Sequence, residues 1–370
     1  MIIAVPKEIK DNEYRVSLTP EAVGTVVRAG HRVLVERNAG QGSGYPDQAY
    51  VTVGAKIVDD RTRLFGEAEL VIKVKEPLAS EYPLLQKGQT LFTFLHLAAD
   101  RPLTEALLQR ELIAIGYETI QLTDGSLPLL RPMSAIAGRM SVLMGAFYLQ
   151  KIHGGSGVLL PGVPGVPPAR VVILGAGTVG TNAAQMAVGL GGQVTLFHRE
   201  SDRLQNLDAA VTGKIILRLL KSDLIEQAVL SADLVVGAVL VTGAKAPKLV
   251  GRRLVAGMRK GSVIADVSID QGGCIETSRP TTHSDPVYVV DGVIHYCVAN
   301  MPGAFPRTAT AALVNVTLPY LLALAGTGVE EACRRDPALA KGVNIYKGRV
   351  THPGVAEAHG MPYTEMKNAF

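Results

Sequence analysis

Between Ala169 and Arg199 the chain reads ARVVILGAGTVGTNAAQMAVGLGGQVTLFHR, and this stretch limits the possible folds more than any other. An apolar, β-branched run, Val171–Leu174, leads into Gly175-Ala176-Gly177-Thr178-Val179-Gly180. Small residues at helical spacing follow from Asn182 to Gly189, then a second apolar run, Gln193–Phe197. Strand, glycine turn, helix and strand in that order make a parallel βαβ unit. G-x-G-x-x-G alone is a weak signal, but between a strand and a helix it has the context that dinucleotide binding requires. Gly175 permits the tight turn, Gly177 lets a pyrophosphate approach the backbone, and Gly180 allows close helix–strand packing. The first helical turn offers unpaired N–H groups to the anion.

The second strand of this unit ends unusually, in His198-Arg199. A fold that prefers NAD places Asp or Glu about 20 residues beyond the glycines, where it accepts hydrogen bonds from the ribose and repels a 2′-phosphate. His198, Arg199 and the nearby Arg203 suit a 2′-phosphate, although Arg199 also fits a solvated strand end and His198 a strand cap. NAD and NADP both remain open.

A chain of 370 residues with 47% apolar content is too long for one ordinary core and ample for two domains. The net charge of +4, with no basic cluster, 5% aromatic residues and no Trp, argues against a nucleic-acid partner. Cys274, Cys297 and Cys333 are odd in number and widely spaced, which matches neither a disulfide framework nor a metal site, so no metal and a reducing, cytoplasmic setting are expected. The opening MIIAVPKEIK carries its charges after a very short apolar run, the wrong order for a secretory signal, and reads as a first strand. Ala309–Gly326 is strongly apolar but holds Asn315 and Pro319 and falls short of the roughly 20 residues of a membrane span. It is expected to be a buried helix, with no membrane association.

From Met1 to about Leu127 strand and helix patterns alternate. Strands are expected at Ile2–Val5, His31–Glu36, Leu70–Lys75, Thr90–His96 and Ile113–Glu118. A helix capped by Thr19 with Pro20 at its first position runs to Gly30, and further helices follow near Asp47–Gly54 and after Arg101-Pro102. A long helix, Met133–Lys151, and a Gly/Pro-rich loop, Gly154–Pro168, lead into the glycine-turn domain. That domain continues through a helix at Asp202–Val211 and strands Leu234–Leu240, Ser262–Ile269 and Val293–Ala299. A helix near Arg307–Ala325 then leads out, and the C-terminal stretch, with no βα unit of its own, should return to the first domain. The fold class is therefore α/β, with two Rossmann-like domains joined by long helices. Residues 1–128 and 305–370 form a discontinuous catalytic domain, and residues 129–304 a central dinucleotide-binding domain.

Four polar residues close apolar runs: Lys75 in LVIKVK, His96 in TLFTFLH, Asp270 in VIADVSID and Asn300 in VIHYCVAN. Ligands of open α/β sheets bind beyond the carboxyl ends of strands, so these residues point to a cleft suited to hydride transfer with a small anion. Singly, each has an ordinary alternative: a solvated lysine, a hydrogen-bonded histidine, or turn-forming Asp and Asn. Arg15, in EYRVSLTP, suits bidentate carboxylate recognition or an ordinary surface role.

The segments PKEIK, RVSLTP, VIKVKEP, LFTFLHLAA, YETIQL, LPLLRPMS, GAGTVGTNAA, GAVLVTGAKAPKLV, DVSIDQGGC, RPTTH, VANMPGA and KGRVTHPGVAEA together resemble the alanine dehydrogenases, over essentially the whole chain. The resemblance implies reversible oxidative deamination of L-alanine to pyruvate and ammonium, with NAD as the expected cofactor. By matching positions, Arg15 and Lys75 would hold the substrate carboxylate and polarise its carbonyl, and His96 would be the general acid/base. Asp270 would assist proton transfer, and Asn300 would lie beside substrate and nicotinamide. Ser134, Thr178, Val179, Arg203, Val239, Leu240, Val267, Ser268, Ile269, Asp270, Arg279, Val298, Asn300 and Met301 would line the dinucleotide, beside Gly175, Gly177 and Gly180 of the glycine turn and His198 and Arg199 after the second strand, which the residues themselves suggest. The resemblance also implies a soluble homohexamer. Where such enzymes carry LD or FD, this chain has Phe197-His198-Arg199, which keeps NADP acceptance in view. The NAD-binding component of a proton-translocating transhydrogenase is the rival assignment; against it stand His96 and the complete DQGG and VANMPG segments.

Overall fold

The computed structural model describes residues 1–199, 213–239 and 246–369. The expected helix Asp202–Val211, Arg203 and Leu240 lie outside the described residues. Two compact units are present, one of Met1–Met133 with Gly303–Phe370, the other of Ser134–Pro302. In chain order the first unit begins with strands β1 (Ile2–Val5), β2 (Arg32–Glu36), β3 (Lys56–Val58), β4 (Leu70–Ile72), β5 (Thr90–Thr93) and β6 (Ile113–Gly116). The second holds β7 (Arg170–Leu174), β8 (Gln193–His198), β9 (Ile215–Leu219), β10 (Leu234–Gly237), β11 (Val263–Asp266), β12 (Val287–Val290) and β13 (Val293–Tyr296). The chain then returns to the first with β14 (Val343–Tyr346) and β15 (Arg349–Val350).

The first unit's sheet has the order β15-β14-β6-β5-β4-β1-β2-β3, and the second's runs β12-β13-β11-β10-β7-β8-β9. β1 pairs in parallel with both β2 and β4, and β7 with both β8 and β10. Each parallel core therefore has the doubly wound order, with its reversal at β1/β4 or β7/β10, and that is where open α/β sheets bind ligands. The strands are short and apolar on both faces: Ile3, Ala4, Val5, Leu70, Val71, Ile72, Ile173 and Leu174 are all fully buried. Residues sandwiched between two helical layers cannot alternate with polar ones, so such strands read as continuous apolar runs. The two-domain α/β expectation holds, with antiparallel strands at one edge of each sheet.

Local chemistry explains the helices. Thr19 Oγ1 accepts from the Ala22 N–H at 3.3 Å and Pro20 takes the first position of Pro20–Arg28, whose Val23 and Val26 are buried. The long helix Arg131–Tyr148 begins at Arg131-Pro132 and ends before Leu149, somewhat ahead of the expected range. Pro306–Thr327 spans 22 residues, so it does reach the length and apolarity of a membrane-crossing helix, unlike the expectation. Its buried residues Ala309, Leu313, Thr317, Leu321 and Leu324 recur every three or four positions, the pattern of a core helix with one packed face.

One expectation is corrected, and one feature was not foreseen. The strands are shorter than the apolar runs, so Lys75, His96, Asp270 and Asn300 lie three or four residues beyond the strand ends instead of closing the strands. The C-terminal stretch supplies two strands of its own, β14 pairing antiparallel with β6, which the absence of a βα pattern concealed.

Candidate functional site

In the first unit the segments after β1, β4 and β5 carry Arg15, Lys75 and His96. The Arg15 loop is fastened at three points. Val16 N–H donates to Thr310 Oγ1 at 3.1 Å, Ser43 Oγ donates to Tyr14 O at 2.9 Å, and Ser17 Oγ donates to Ile72 O at 2.8 Å. The guanidinium itself is buried, pairs with Glu13 through both Nε and Nη2, and directs Nη1 to Met133 Sδ at 3.2 Å. A guanidinium carries five donors. Glu13 therefore orients Arg15 through one edge, a partner that the sequence did not reveal.

Beneath Lys75 lies a buried charge network. The Lys73 ammonium, fully buried, donates to Glu8 Oε2 at 3.1 Å and Glu81 Oε1 at 2.9 Å, and Arg61 also pairs with Glu81. Burial pulls Lys73 towards neutrality, but the two carboxylates outweigh it and hold its pKa above the ordinary value. Glu8 Oε1 also accepts the N–H of Val74 at 2.7 Å and of Lys75 at 3.4 Å, so the network sets the backbone that presents Lys75.

His96 sits in the left-handed region, with φ +50° and ψ +31°. Such a conformation in a non-glycine residue needs outside support, and Glu118 gives it by accepting the backbone N–H of Leu95 at 3.0 Å and of His96 at 2.6 Å. The ring stacks on Phe94, with centroids 5.9 Å apart. Its Nδ1 lies 3.2 Å from Glu76 Oε2, while Lys75 Nζ lies 3.7 Å from the same oxygen and Lys10 pairs with Oε1. Burial raises the Glu76 pKa, but His96, Lys75 and Lys10 together drive it well below the usual carboxylate range. Lys75 and His96 thus converge on one ionised carboxylate.

In the second unit the glycine turn matches the demands of each position. Gly175 has φ +111°, and a Cβ there would stand 2.5 Å from Ala238 O. A Cβ on Gly180 would fall 1.8 Å from Gly175 O, whereas one on Gly177 would meet nothing within 4 Å. Gly175 and Gly180 are thus required by the chain's own packing. Gly177 opens a free side at the start of helix Thr178–Gly189, whose first N–H groups have no acceptor within the helix. These residues fit a dinucleotide pyrophosphate. Thr178, Val179 and Ser134 are partly buried, and His198, buried, ends β8 with an exposed Arg199 after it.

Val267, Ser268, Ile269 and Asp270 form a short 3-10 helix, Val267–Gln271, after β11. Asp266, fully buried, caps it by accepting from Ser268 N–H at 3.1 Å, and also accepts from Cys274 and Ile275 N–H at 3.0 and 3.2 Å. Gly272 and Gly273 both have positive φ, and a Cβ on Gly273 would crowd Asp266 at 2.7 Å. Asp266 therefore shapes the loop that exposes Asp270, in a position that sequence reasoning passed over although DVSIDQGGC contains it. Ser268 Oγ donates to Val239 O at 2.8 Å and accepts from Val239 N–H at 2.9 Å, joining the segments after β10 and β11. Asn300, at φ +71°, gives its carbonyl to His283 Nε2 at 3.0 Å, beside the buried Val298 and Met301. The Arg279 guanidinium lies 4.0 Å over the Tyr288 ring. Among the described residues no group of His, Cys, Asp and Glu is arranged to hold a metal.

Residues 4–137 match the model of the alanine dehydrogenase/PNT N-terminal domain, and residues 141–353 that of its C-terminal domain. The chain belongs to the alanine dehydrogenase/PNT family. Within that family it is 55% identical over 370 residues to an alanine dehydrogenase of Methanococcus maripaludis, covering 100% of this chain and 99% of that one. It is 53% identical to one of Halomonas elongata, covering 99% and 98%. A solved L-alanine dehydrogenase superposes with a TM-score of 0.94 at 54% identity, over 97% of this chain and 99% of that one. A transhydrogenase of Sinorhizobium meliloti shares the fold, with a TM-score of 0.80 at 24% identity over 95% of this chain and 99% of that one. The identities of 53–55% to alanine dehydrogenases against 24% to the transhydrogenase favour the dehydrogenase branch, and the chain is an oxidoreductase with a dinucleotide-binding fold of the Rossmann type.

Proposed function

We propose that this chain catalyses the reversible, nicotinamide-dependent oxidative deamination of L-alanine to pyruvate and ammonium. The observation that carries the reading is the convergence of Lys75 and His96 on Glu76 beyond β4 and β5, in a chain alike over its full length to enzymes named alanine dehydrogenase. Residues 1–128 and 305–370 serve the substrate and residues 129–304 the dinucleotide. Lys75 and Arg15 neutralise the substrate carboxylate, and Lys75 polarises the carbonyl. His96 exchanges a proton with the carbinolamine oxygen, Asp270 assists proton transfer with water and ammonia, and Asn300 borders the substrate. The bound dinucleotide supplies the hydride acceptor. Gly177 and the N–H groups of Thr178 and Val179 would receive its pyrophosphate, with Ser134, Val239, Val267, Ser268, Ile269, Arg279, Val298 and Met301 around the rest.

NAD is the expected cofactor, and NADP is accepted as well. Among the described residues β8 ends in His198 and is followed by Arg199, not by a carboxylate, and a charge-assisted bond from Arg199 to a 2′-phosphate contributes about 1.5–3 kcal/mol. The working form is a cytoplasmic homohexamer, without nucleic-acid or membrane partners. Steady-state deamination of L-alanine with NAD and NADP side by side tests the reading. His96→Ala and Asp270→Asn each lower turnover by about 10²–10⁴-fold with little change in dinucleotide affinity, and His198→Asp/Arg199→Ile shifts kcat/KM towards NAD. Near-parental turnover in His96→Ala removes His96 from the chemistry.

A further inference from the structure

Glu76 is a residue for which neither motif nor strand-end position suggested a task. It lies between three cationic or ionisable groups: Oε1 pairs with Lys10, and Oε2 lies 3.2 Å from His96 Nδ1 and 3.7 Å from Lys75 Nζ. Its side chain is only 12% exposed, whereas that of His96 is 43% exposed. An ionised carboxylate is an acceptor only, so the proton of this contact belongs to Nδ1 of the imidazole. The ring is held on its other sides by Phe94 and by the left-handed backbone that Glu118 secures. Fixing a proton on Nδ1 leaves Nε2 as the atom of the neutral ring that carries a lone pair.

We propose that Glu76 is a positioning residue that fixes the Nδ1–H tautomer of His96, reserves Nε2 for proton exchange with substrate, and holds Lys75 beside it. This rests on the acid/base reading of His96 given above. One carboxylate then couples the two substrate-facing groups: the oxygen that orients the imidazole also draws the Lys75 ammonium to the same side. Lys10 occupies the other oxygen, so the carboxylate does not rotate away without losing a charge-assisted bond.

The arrangement makes an asymmetric prediction for Glu76→Gln. An ammonium cannot accept a hydrogen bond, so Lys10 claims the amide oxygen and the amide NH2 turns to His96, whose ring has a nitrogen able to accept. The neutral ring then takes the opposite tautomer, with its proton on Nε2. Glu76→Asp keeps acceptor chemistry on both sides and serves as the conservative rescue.

The test is 15N NMR of the full chain labelled at histidine, with His96 assigned by its absence in His96→Asn, alongside steady-state kinetics of the parent, Glu76→Gln and Glu76→Asp. The parent ring shows a protonated Nδ1 and an unprotonated Nε2, and Glu76→Gln shows the reverse. Turnover in Glu76→Gln falls by about 10²–10⁴-fold, as for loss of a general acid/base, with dinucleotide affinity unchanged, and Glu76→Asp recovers a substantial part. A parent ring already protonated on Nε2, or the same tautomer in parent and Glu76→Gln, overturns the inference whatever the kinetics. A reversed tautomer with parental turnover, while His96→Ala is inactive, overturns the link between tautomer and chemistry but leaves the acid/base reading intact. Parental turnover in His96→Ala overturns that reading itself, independently of the tautomer.

Discussion

Two glycines of one motif do different work, and substitution separates them. At Gly180 an added methyl falls 1.8 Å from the Gly175 carbonyl, a backbone atom that cannot step aside without moving β7 or the helix. Gly180→Ala should therefore lower the urea midpoint by the equivalent of about 1–3 kcal/mol, the usual cost of overpacking, and weaken the dinucleotide with it. At Gly177 the same methyl meets nothing of the chain. Gly177→Ala should leave stability within about 0.5 kcal/mol of the parent yet weaken the dinucleotide about tenfold or more, roughly 1.4 kcal/mol. Calorimetric titration beside urea unfolding decides the matter; equal loss of stability in both variants would contradict the division of roles. These positions were legible in the sequence because a turn's backbone demand is local. Glu76 was not, since its meaning comes from Lys10 and His96, which lie 66 and 20 residues away in the chain.

The ends of secondary-structure elements, more than the elements themselves, present the residues proposed for the chemistry. β1, β4 and β5 are short apolar rods, and the segments just past them are held by charges that belong to other elements: Glu8 after β1, Lys73 after β4, and Glu81 in the turn that follows. Removing one member of a buried ion network leaves the others uncompensated. Lys73→Met should destabilise the chain by about 3–5 kcal/mol, with further loss of activity through the Lys75 backbone that Glu8 supports. Pairing it with Glu8→Gln and Glu81→Gln should restore much of the stability, because the stranded carboxylates are then gone while Arg61 keeps Glu36. Urea unfolding of the single and triple variants checks this, and a Lys73→Met midpoint equal to the parent's would show that the network carries no net stabilisation.

For the molecule as a whole, acid is the stress that the buried histidines register. Burial lowers the pKa of His295 and of His352. The His295 ring is satisfied while neutral, Nδ1–H donating to Val293 O at 3.0 Å and Nε2 accepting from Thr277 Oγ1 at 2.8 Å, and His352 Nδ1 is buried without a partner. As pH falls through about 6.5 the unfolded chain takes up protons that the folded chain resists, so stability declines. Urea midpoints measured from pH 7.5 to 5.5 should fall. The fall should be shallower in His352→Gln by at most one proton's contribution, and identical slopes would remove His352 from the acid response. At this scale the sequence alone determined the two α/β units and the glycine turn, because apolar periodicity and backbone demands are written in neighbouring positions. Strand lengths, the antiparallel β14 and β15, and the carboxylates that orient Arg15, Lys75 and His96 were decided only in the tertiary structure. Pairing partners and buried ion networks join residues far apart in the chain, and their energies depend on the distance and burial that folding creates.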